Sequence, residues 1–240
     1  MKTVLLLGGT ADARALATAF AIPGARLVAS LAGATEHPHA YPCPTRHGSF
    51  GGAQGLREYL QEGIVAVIDA THPFATVISR NAAEACTALA LPFVSLSRPP
   101  WPAIGDWRPF PTLERAVDAL PGGARVLATT GRKDVTPYIA RSDLTVHLRS
   151  VDPVPGLPAY IVPIASRGPF TLEAERALMT RLRITHLVTR NSGGESRARV
   201  DAAAALDLPL HIVERPPPPA APRAHSVADA LRWLETVLRD

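Results

Sequence analysis

Short uninterrupted apolar runs alternate along this chain with stretches whose apolar residues recur every three or four positions. Over the first hundred residues the runs 3–7, 26–31, 65–69 and 92–96 predict strands, and 11–20, 52–62 and 74–89 predict helices. Leu56, Tyr59 and Leu60 share one face of the second helix, and Ile78, Ala82, Ala85 and Leu89 one face of the third. Strands apolar on both sides and separated by helices predict a parallel sheet covered on both faces. Residues 35–44 form a loop rich in Pro and His. Residues 97–111 break the pattern with Pro99, Pro100, Pro102, Pro109 and Pro111 around Trp101 and Trp107. They read as an inter-domain linker; an ordinary surface loop holding two tryptophans is the other reading. Alternation then resumes with helix 112–120, strand 125–129, short helix 135–140, strands 144–148 and 159–165, and helix 171–182. Strand 186–189, helix 197–206 and strand 209–213 follow, then a stiff proline spacer at 216–219. A closing helix 227–238 carries Leu231, Leu234 and Leu238 on one face. The expected architecture is α/β, with two parallel-sheet units: residues 1–98, a linker 99–111, and residues 112–240.

Composition narrows the function. The chain has 240 residues, 47% apolar and 19% charged, which supports a sizeable core and argues against disorder. Its net charge of +4 is diffuse, with no run of five like charges and no aromatic–basic stripe, so no nucleic-acid partner is expected. All basic residues except Lys2 and Lys133 are Arg. Codon bias in a GC-rich genome explains that, and so does a demand for planar forks that suit carboxylates and phosphates; both can hold. Cys43 and Cys86 match no metal or redox spacing, which points to a reducing compartment. The apolar run after Met1 is too short for a signal sequence. The longest stretch without charge, residues 153–166, is broken by prolines. A cytoplasmic protein without membrane contact is therefore expected, as a monomer or weak homo-oligomer.

Four strand ends carry the candidate chemistry. In open parallel sheets ligands bind beyond the carboxyl ends of the strands. Gly8-Gly9-Thr10 ends the first strand and opens a helix, where backbone passes close to a phosphate and free N–H groups favour an anion. It is not GxGxxG, since Thr10 and Ala13 stand at the later glycine positions, and a tight turn without ligand is the plain alternative. The second strand ends at Ser30-Leu31 with no acid before Glu36, which leans towards NADPH over NADH, with Ser30 able to donate to a 2′-phosphate. Gly48, Gly51 and Gly52 flank Phe50 before a helix, as a close approach to ligand or as a hinge or turn. Asp69-Ala70-Thr71-His72-Pro73 places His72 at a strand end with Pro73 at a helix start, as a ligand contact, a proton donor or a structural residue. In the second half, Thr129-Thr130-Gly131-Arg132, Ser166-Arg167-Gly168 and Arg190-Asn191-Ser192-Gly193-Gly194 suit anions, or simply cap helices. If the units face each other, these turns line one cleft. No metal cluster stands out; His37 and His39 lie close together in a proline-rich loop.

Taken in order, these turns resemble the precorrin-6A reductase (cobalt-precorrin-6A reductase) family of cobalamin biosynthesis, nearly end to end. The resemblance rests on Leu7-Gly8-Gly9-Thr10 with Arg14, Ser30-Leu31-Ala32-Gly33, Phe50-Gly51-Gly52 and Asp69-Ala70-Thr71-His72-Pro73-Phe74-Ala75. It continues through Arg98-Pro99-Pro100-Trp101, Thr129-Thr130-Gly131-Arg132, Arg167-Gly168-Pro169-Phe170, Asn191-Ser192-Gly193-Gly194 and Asp201-Ala202. It implies two Rossmann-like domains with the active site between them, and NADPH-dependent reduction of one carbon–carbon double bond of a corrinoid macrocycle to give precorrin-6B. On that reading Gly8, Gly9, Thr10, Asp12, Arg14, Ser30, Gly51, Gly52 and Thr71 hold the cofactor. Thr130, Gly131, Arg132, Arg167, Arg190, Asn191, Ser192 and Gly193 hold the acidic macrocycle. His72 is the candidate proton donor, with water or a substrate carboxyl as alternatives. The chain departs from the family at Ala34, where the family carries Arg, so a guanidinium for the 2′-phosphate would come from Arg14 or Arg46. Arg190 replaces the usual Lys, and Gly48-Ser49 the usual glycine pair.

Two rival functions compete with this reading. A short-chain-type reductase needs Tyr-x-x-x-Lys, and none of Tyr41, Tyr59, Tyr138 and Tyr160 has Lys four residues on. An NADPH-binding sensor without turnover is the non-enzymatic alternative.

Overall fold

The computed structural model describes residues 1–33, 39–194 and 196–239. Ala34, Glu36 and His37, which entered the sequence argument, lie outside them. The chain forms β1 (Lys2–Leu7), α1 (Ala11–Ala19), β2 (Ala25–Leu31), β3 (Thr45–His47), α2 (Ala53–Gln61), β4 (Ile64–Asp69), α3 (Thr76–Ala88) and β5 (Phe93–Leu96). Next come β6 (Trp107–Phe110), α4 (Leu113–Asp118), β7 (Arg125–Ala128), α5 (Thr136–Ile139), β8 (Thr145–Ser150) and β9 (Ile161–Ala165). The last elements are α6 (Leu172–Arg181), β10 (His186–Arg190), α7 (Ala198–Ala205), β11 (Leu210–Val213), β12 (Arg223–Ala224) and α8 (Val227–Arg239).

Two wholly parallel six-stranded sheets result, ordered β12-β5-β4-β1-β2-β3 and β6-β11-β10-β7-β8-β9. In the first, the central strand β1 is followed by β2 and β3 on one side, and the chain then crosses back to build the other side with β4, β5 and β12, the 3-2-1-4-5-6 order of dinucleotide-binding sheets. The second arranges β7 to β11 as the first arranges β1 to β5, but its sixth position is filled by β6, which precedes the central strand in the chain. Each sheet has one switch point, between β1 and β4 or between β7 and β10.

Alternation along β1 shows how the first core is divided. Val4 and Leu6 pack with Leu16 of α1 and Ala230 and Leu234 of α8. Leu5 and Leu7 face the other way, onto Leu56 and Leu60 of α2 and Ala82 and Ala85 of α3. Burial of these side chains contributes about 1.5–3 kcal/mol each.

The structure corrects the expected boundaries. The two compact units are Met1–Pro99 with Pro216–Asp240, and Pro100–Arg215. The closing helix therefore belongs to the first unit, not the second. The apolar face formed by Ala66, Ile68, Val94 and Leu96 is left for a helix after α1, and α8 supplies it. The supposed linker 99–111 is largely part of the second unit. Residues 107–110 pair with β11 as an edge strand, where Pro109 is tolerated, and Trp101 is buried. The helix expected from residue 74 begins at Thr76, so Pro73 lies in the turn before it. Cys43 and Cys86 are free thiols, and burial pushes that of Cys86 up to about 12.

Three histidines make the second unit sensitive to acid. Burial lowers His147, His186 and His211 below the ordinary 6.5; Arg125 adds to this at His147, and His211 and Arg108 at His186. His211 is fully buried, its Nδ1 is 2.8 Å from the Ala116 carbonyl, and its Nε2 has no hydrogen-bond partner among the described residues, so a second ring proton would go unpaired. Above pH 6.5 these rings are neutral in both folded and unfolded chains, and their stability contribution is complete. As pH falls below 6.5 the unfolded chain takes up protons first, and stability drops by up to about 1.4 kcal/mol per pH unit for each ring. Calorimetry between about pH 5 and 8 should show a transition midpoint that is level at the top and falls below 6.5. His211→Gln should flatten that fall by about one proton; an unchanged slope would contradict the assignment.

Candidate functional site

In the first unit the switch point joins two turns through one side chain. Thr10 caps α1, its Oγ1 accepting from the Ala13 N–H at 3.1 Å and donating to the Ala70 carbonyl at 2.7 Å. Its hydroxyl therefore braces the turn, leaving its backbone amide to the site. The Gly8 N–H is taken by the Ser30 carbonyl and the Gly9 N–H by Tyr41 Oη. Gly9 has φ +110° with open space where a Cβ would stand. Asp12 in the first turn of α1 is 2.6 Å from Arg98, which ties α1 to the chain beyond β5.

A second group lies beyond β2 and β3. Ser30 Oγ accepts from Arg46 Nη1 at 2.8 Å. The same guanidinium donates to the carbonyls of Gly48 and Ser49 and stacks 3.8 Å from the Phe50 ring centre. Gly51 and Gly52 lead from Phe50 into α2, with Gly52 as its N-cap at φ +95°. Arg46 thus meets three of the predicted features at once: Ser30, the glycine cluster and Phe50.

Beyond β4, Asp69 Oδ1 accepts from both the N–H and the hydroxyl of Thr71, at 3.1 and 2.7 Å. Thr71 Oγ1 also lies 3.3 Å from Ser79 Oγ. His72 is exposed, and its Nδ1 accepts from the Phe74 N–H at 3.3 Å. That bond assigns the neutral ring's proton to Nε2.

The second unit repeats the plan with different residues. Thr129 Oγ1 donates to Thr189 Oγ1 at 2.7 Å, joining β7 to β10 as Thr10 joins β1 to β4. Thr130 is buried, its hydroxyl 3.4 Å from Tyr138 Oη. Gly131 follows, and Arg132 pairs with Asp152 at 3.5 Å. Arg190 pairs with Asp134 at 2.6 Å; burial raises the Asp134 carboxyl while Arg190 works to lower it. Two of the three predicted arginines are thus oriented by carboxylates, and Arg167 is exposed on its turn.

The Asn191 side chain has a different role from the expected one. It is 2% exposed, its Oδ1 accepts from the Trp101 N–H at 2.8 Å, and its Nδ2 reaches the Trp101 carbonyl and Glu214 at 3.4 Å. Trp101 Nε1 donates to the Gly194 carbonyl, and Arg215 donates to the carbonyls of Asn191 and Ser192. The residues beside both passages of the chain between the units, Trp101 and Arg215, are therefore anchored on one turn. Gly193 is buried within that turn, and Ser192 Oγ faces Arg199 at 3.4 Å.

Sequence reasoning missed Arg199 and the pair Arg149–Glu175. Arg199 Nε donates to Thr189 Oγ1, and burial brings its guanidinium down to about 10, so it stays charged at neutral pH. Arg149 and Glu175 form a buried ion pair at 2.8 Å, with Arg149 stacked on Phe170. No spacing rule marks these residues, because β8, α6 and α7 meet only in the fold. Among the described residues, no three His, Cys, Asp or Glu side chains group as a metal site, and no helix is long and apolar enough to cross a membrane.

Known proteins place this geometry. The family model "Precorrin-6x reductase CbiJ/CobK" matches residues 3–235. A "Precorrin-6A reductase" of Rhodococcus erythropolis is 42% identical over the whole of both chains. One of Mycobacterium tuberculosis is 44% identical over 98% of each. A solved structure, "CobK precorrin-6A reductase", matches with a TM-score of 0.92 at 39% identity, covering 99% of this chain and 97% of that one. On sequence and fold together, this chain belongs to the precorrin-6x reductase CbiJ/CobK family.

Proposed function

We propose that this chain reduces one carbon–carbon double bond of precorrin-6A with NADPH, giving precorrin-6B. One observation carries the reading: a sheet of dinucleotide strand order opens its switch point on Gly8-Gly9-Thr10, in a chain of this reductase family.

The residues at that point suit the cofactor. Gly9 leaves open space where a Cβ would stand, and the first turn of α1 adds a partial positive charge for the pyrophosphate. Preference for NADPH is supported beyond β2, where a dinucleotide site for NADH would carry an acid. Here Ser30 stands instead, with the Arg46 guanidinium 2.8 Å from its hydroxyl, a combination that attracts a 2′-phosphate. Arg46 thus fills the role that the family gives to the residue replaced by Ala34.

The bound nicotinamide supplies the hydride. The chain's own work is positioning and proton supply. Thr10 ties the turn after β1 to the turn after β4, and Thr71 braces the latter on Asp69, which fixes the nicotinamide side of the site. His72, as imidazolium before the transfer and neutral ring after it, is the proposed donor of the second hydrogen. Arg132, Arg167 and Arg190 meet the carboxylates of the macrocycle; Asp152 and Asp134 hold two of them in place.

The test is anaerobic incubation of the protein with precorrin-6A and either NADPH or NADH, following the macrocycle spectrum and the product mass. A gain of two hydrogens that requires NADPH, with NADH at least about tenfold poorer in kcat/KM, is expected. Equal use of both nucleotides would remove the role given to Ser30 and Arg46. NADPH binding with no change in precorrin-6A or its cobalt form would favour the sensor.

A further inference from the structure

The segment between β2 and β3 lays one aromatic side chain on the glycine turn. Tyr41 Oη accepts from the Gly9 N–H at 3.0 Å, and the positive charge of Arg14 acts on the same phenol. The ring covers Gly8 so closely that a Cβ there would stand 2.9 Å from Oη and 3.3 Å from Cζ. Residue 8 is thus glycine for the sake of Tyr41 as well as of a ligand. One acceptor position of the hydroxyl is taken by a backbone N–H donor. Burial pushes the phenol above its ordinary 10, so it keeps its proton. Among the described residues that proton has no acceptor. The Gly9 N–H donor and the nearby Arg14 charge polarise the O–H and make it a stronger donor in turn.

We propose that Tyr41 is a phosphate-binding residue of the dinucleotide site, its hydroxyl passing the positive character of Gly9 and Arg14 to a pyrophosphate oxygen. The proposal rests on the cofactor reading above. Its chemistry is a charge-assisted O–H···O⁻ bond, made where the helix N-terminus already favours an anion. A contrary role has the opposite sign. If Oη merely fills the anion's place and must be expelled, losing it would tighten binding.

The test is direct titration of NADPH, read from nicotinamide fluorescence, against the parent protein and Tyr41→Phe, without macrocycle. Phenylalanine keeps the ring over Gly8, and a thermal melt on the same samples reports folding. The expected result is a Kd raised roughly tenfold in Tyr41→Phe with an unchanged melting midpoint. A Kd within twofold of the parent, or a lower one, overturns the proposal while leaving the cofactor assignment standing. A parent that binds no nicotinamide nucleotide overturns both.

Discussion

Gly9→Asp is expected to raise the KM for NADPH by two orders of magnitude or more while the protein remains folded. The site is open: no atom lies within 4 Å of where a Cβ would stand, so no clash is involved. The backbone at φ +110° strains any other residue, by about 1–3 kcal/mol. A carboxylate beside the first turn of α1 returns about 0.3–1 kcal/mol through the helix dipole. Binding bears the larger effect, because the carboxylate would face the pyrophosphate. Two like charges about 4 Å apart repel by about 4 kcal/mol at a partly buried site, and each 1.4 kcal/mol is about tenfold. Gly9→Ala separates the terms, since it carries the strain without the charge; a change below about tenfold is expected there. Steady-state kinetics on the two variants decide the matter. A KM for NADPH in Gly9→Asp within twofold of the parent would place the pyrophosphate elsewhere.

That turn was legible because its signal is local: a run of buried aliphatics, two glycines and a capping threonine in the seven consecutive residues Val4 to Thr10. The same holds for the turns after β4, β7 and β10. Other parts depend on partners distant in sequence. β3 and β12 are three and two residues long, and each exists only through its neighbour, β2 or β5. β6 contains Pro109, which on sequence grounds argues against a strand and which only an edge position permits. The amphipathic face of α8 was visible as Leu231, Leu234 and Leu238, but nothing in it says which of two similar sheets it covers. At the site, Arg46 and Tyr41 are single side chains between prolines and glycines with no motif around them. Asn191 shows the converse, a motif residue whose side chain is used up in holding Trp101.

A glycine that looks expendable makes the point most sharply. Gly55 lies inside α2, where alanine normally stabilises a helix by about 1 kcal/mol. In this fold a Cβ at residue 55 would stand 1.8 Å from the Phe50 carbonyl oxygen and 3.0 Å from its carbon. Those are backbone atoms, so no side chain can rotate away. The loop cannot easily yield either: Phe50 is held against Tyr59, with ring centres 5.3 Å apart, and beneath the Arg46 guanidinium. Gly55→Ala should therefore destabilise the first unit by about 2–4 kcal/mol, since overpacking against fixed backbone outweighs helix propensity. That corresponds to a fall of roughly 10 °C in its melting midpoint. Gln54→Ala, one position away on the exposed side of the same helix, should change stability by no more than about 0.5 kcal/mol. Because Phe50 carries Arg46, the protein that stays folded at low temperature should also bind NADPH less tightly. A Gly55→Ala variant as stable as the parent would mean that the Phe50 peptide moves freely. In that case its contact with α2 does not hold Arg46 beside Ser30, and the 2′-phosphate site has to be organised by the ligand itself.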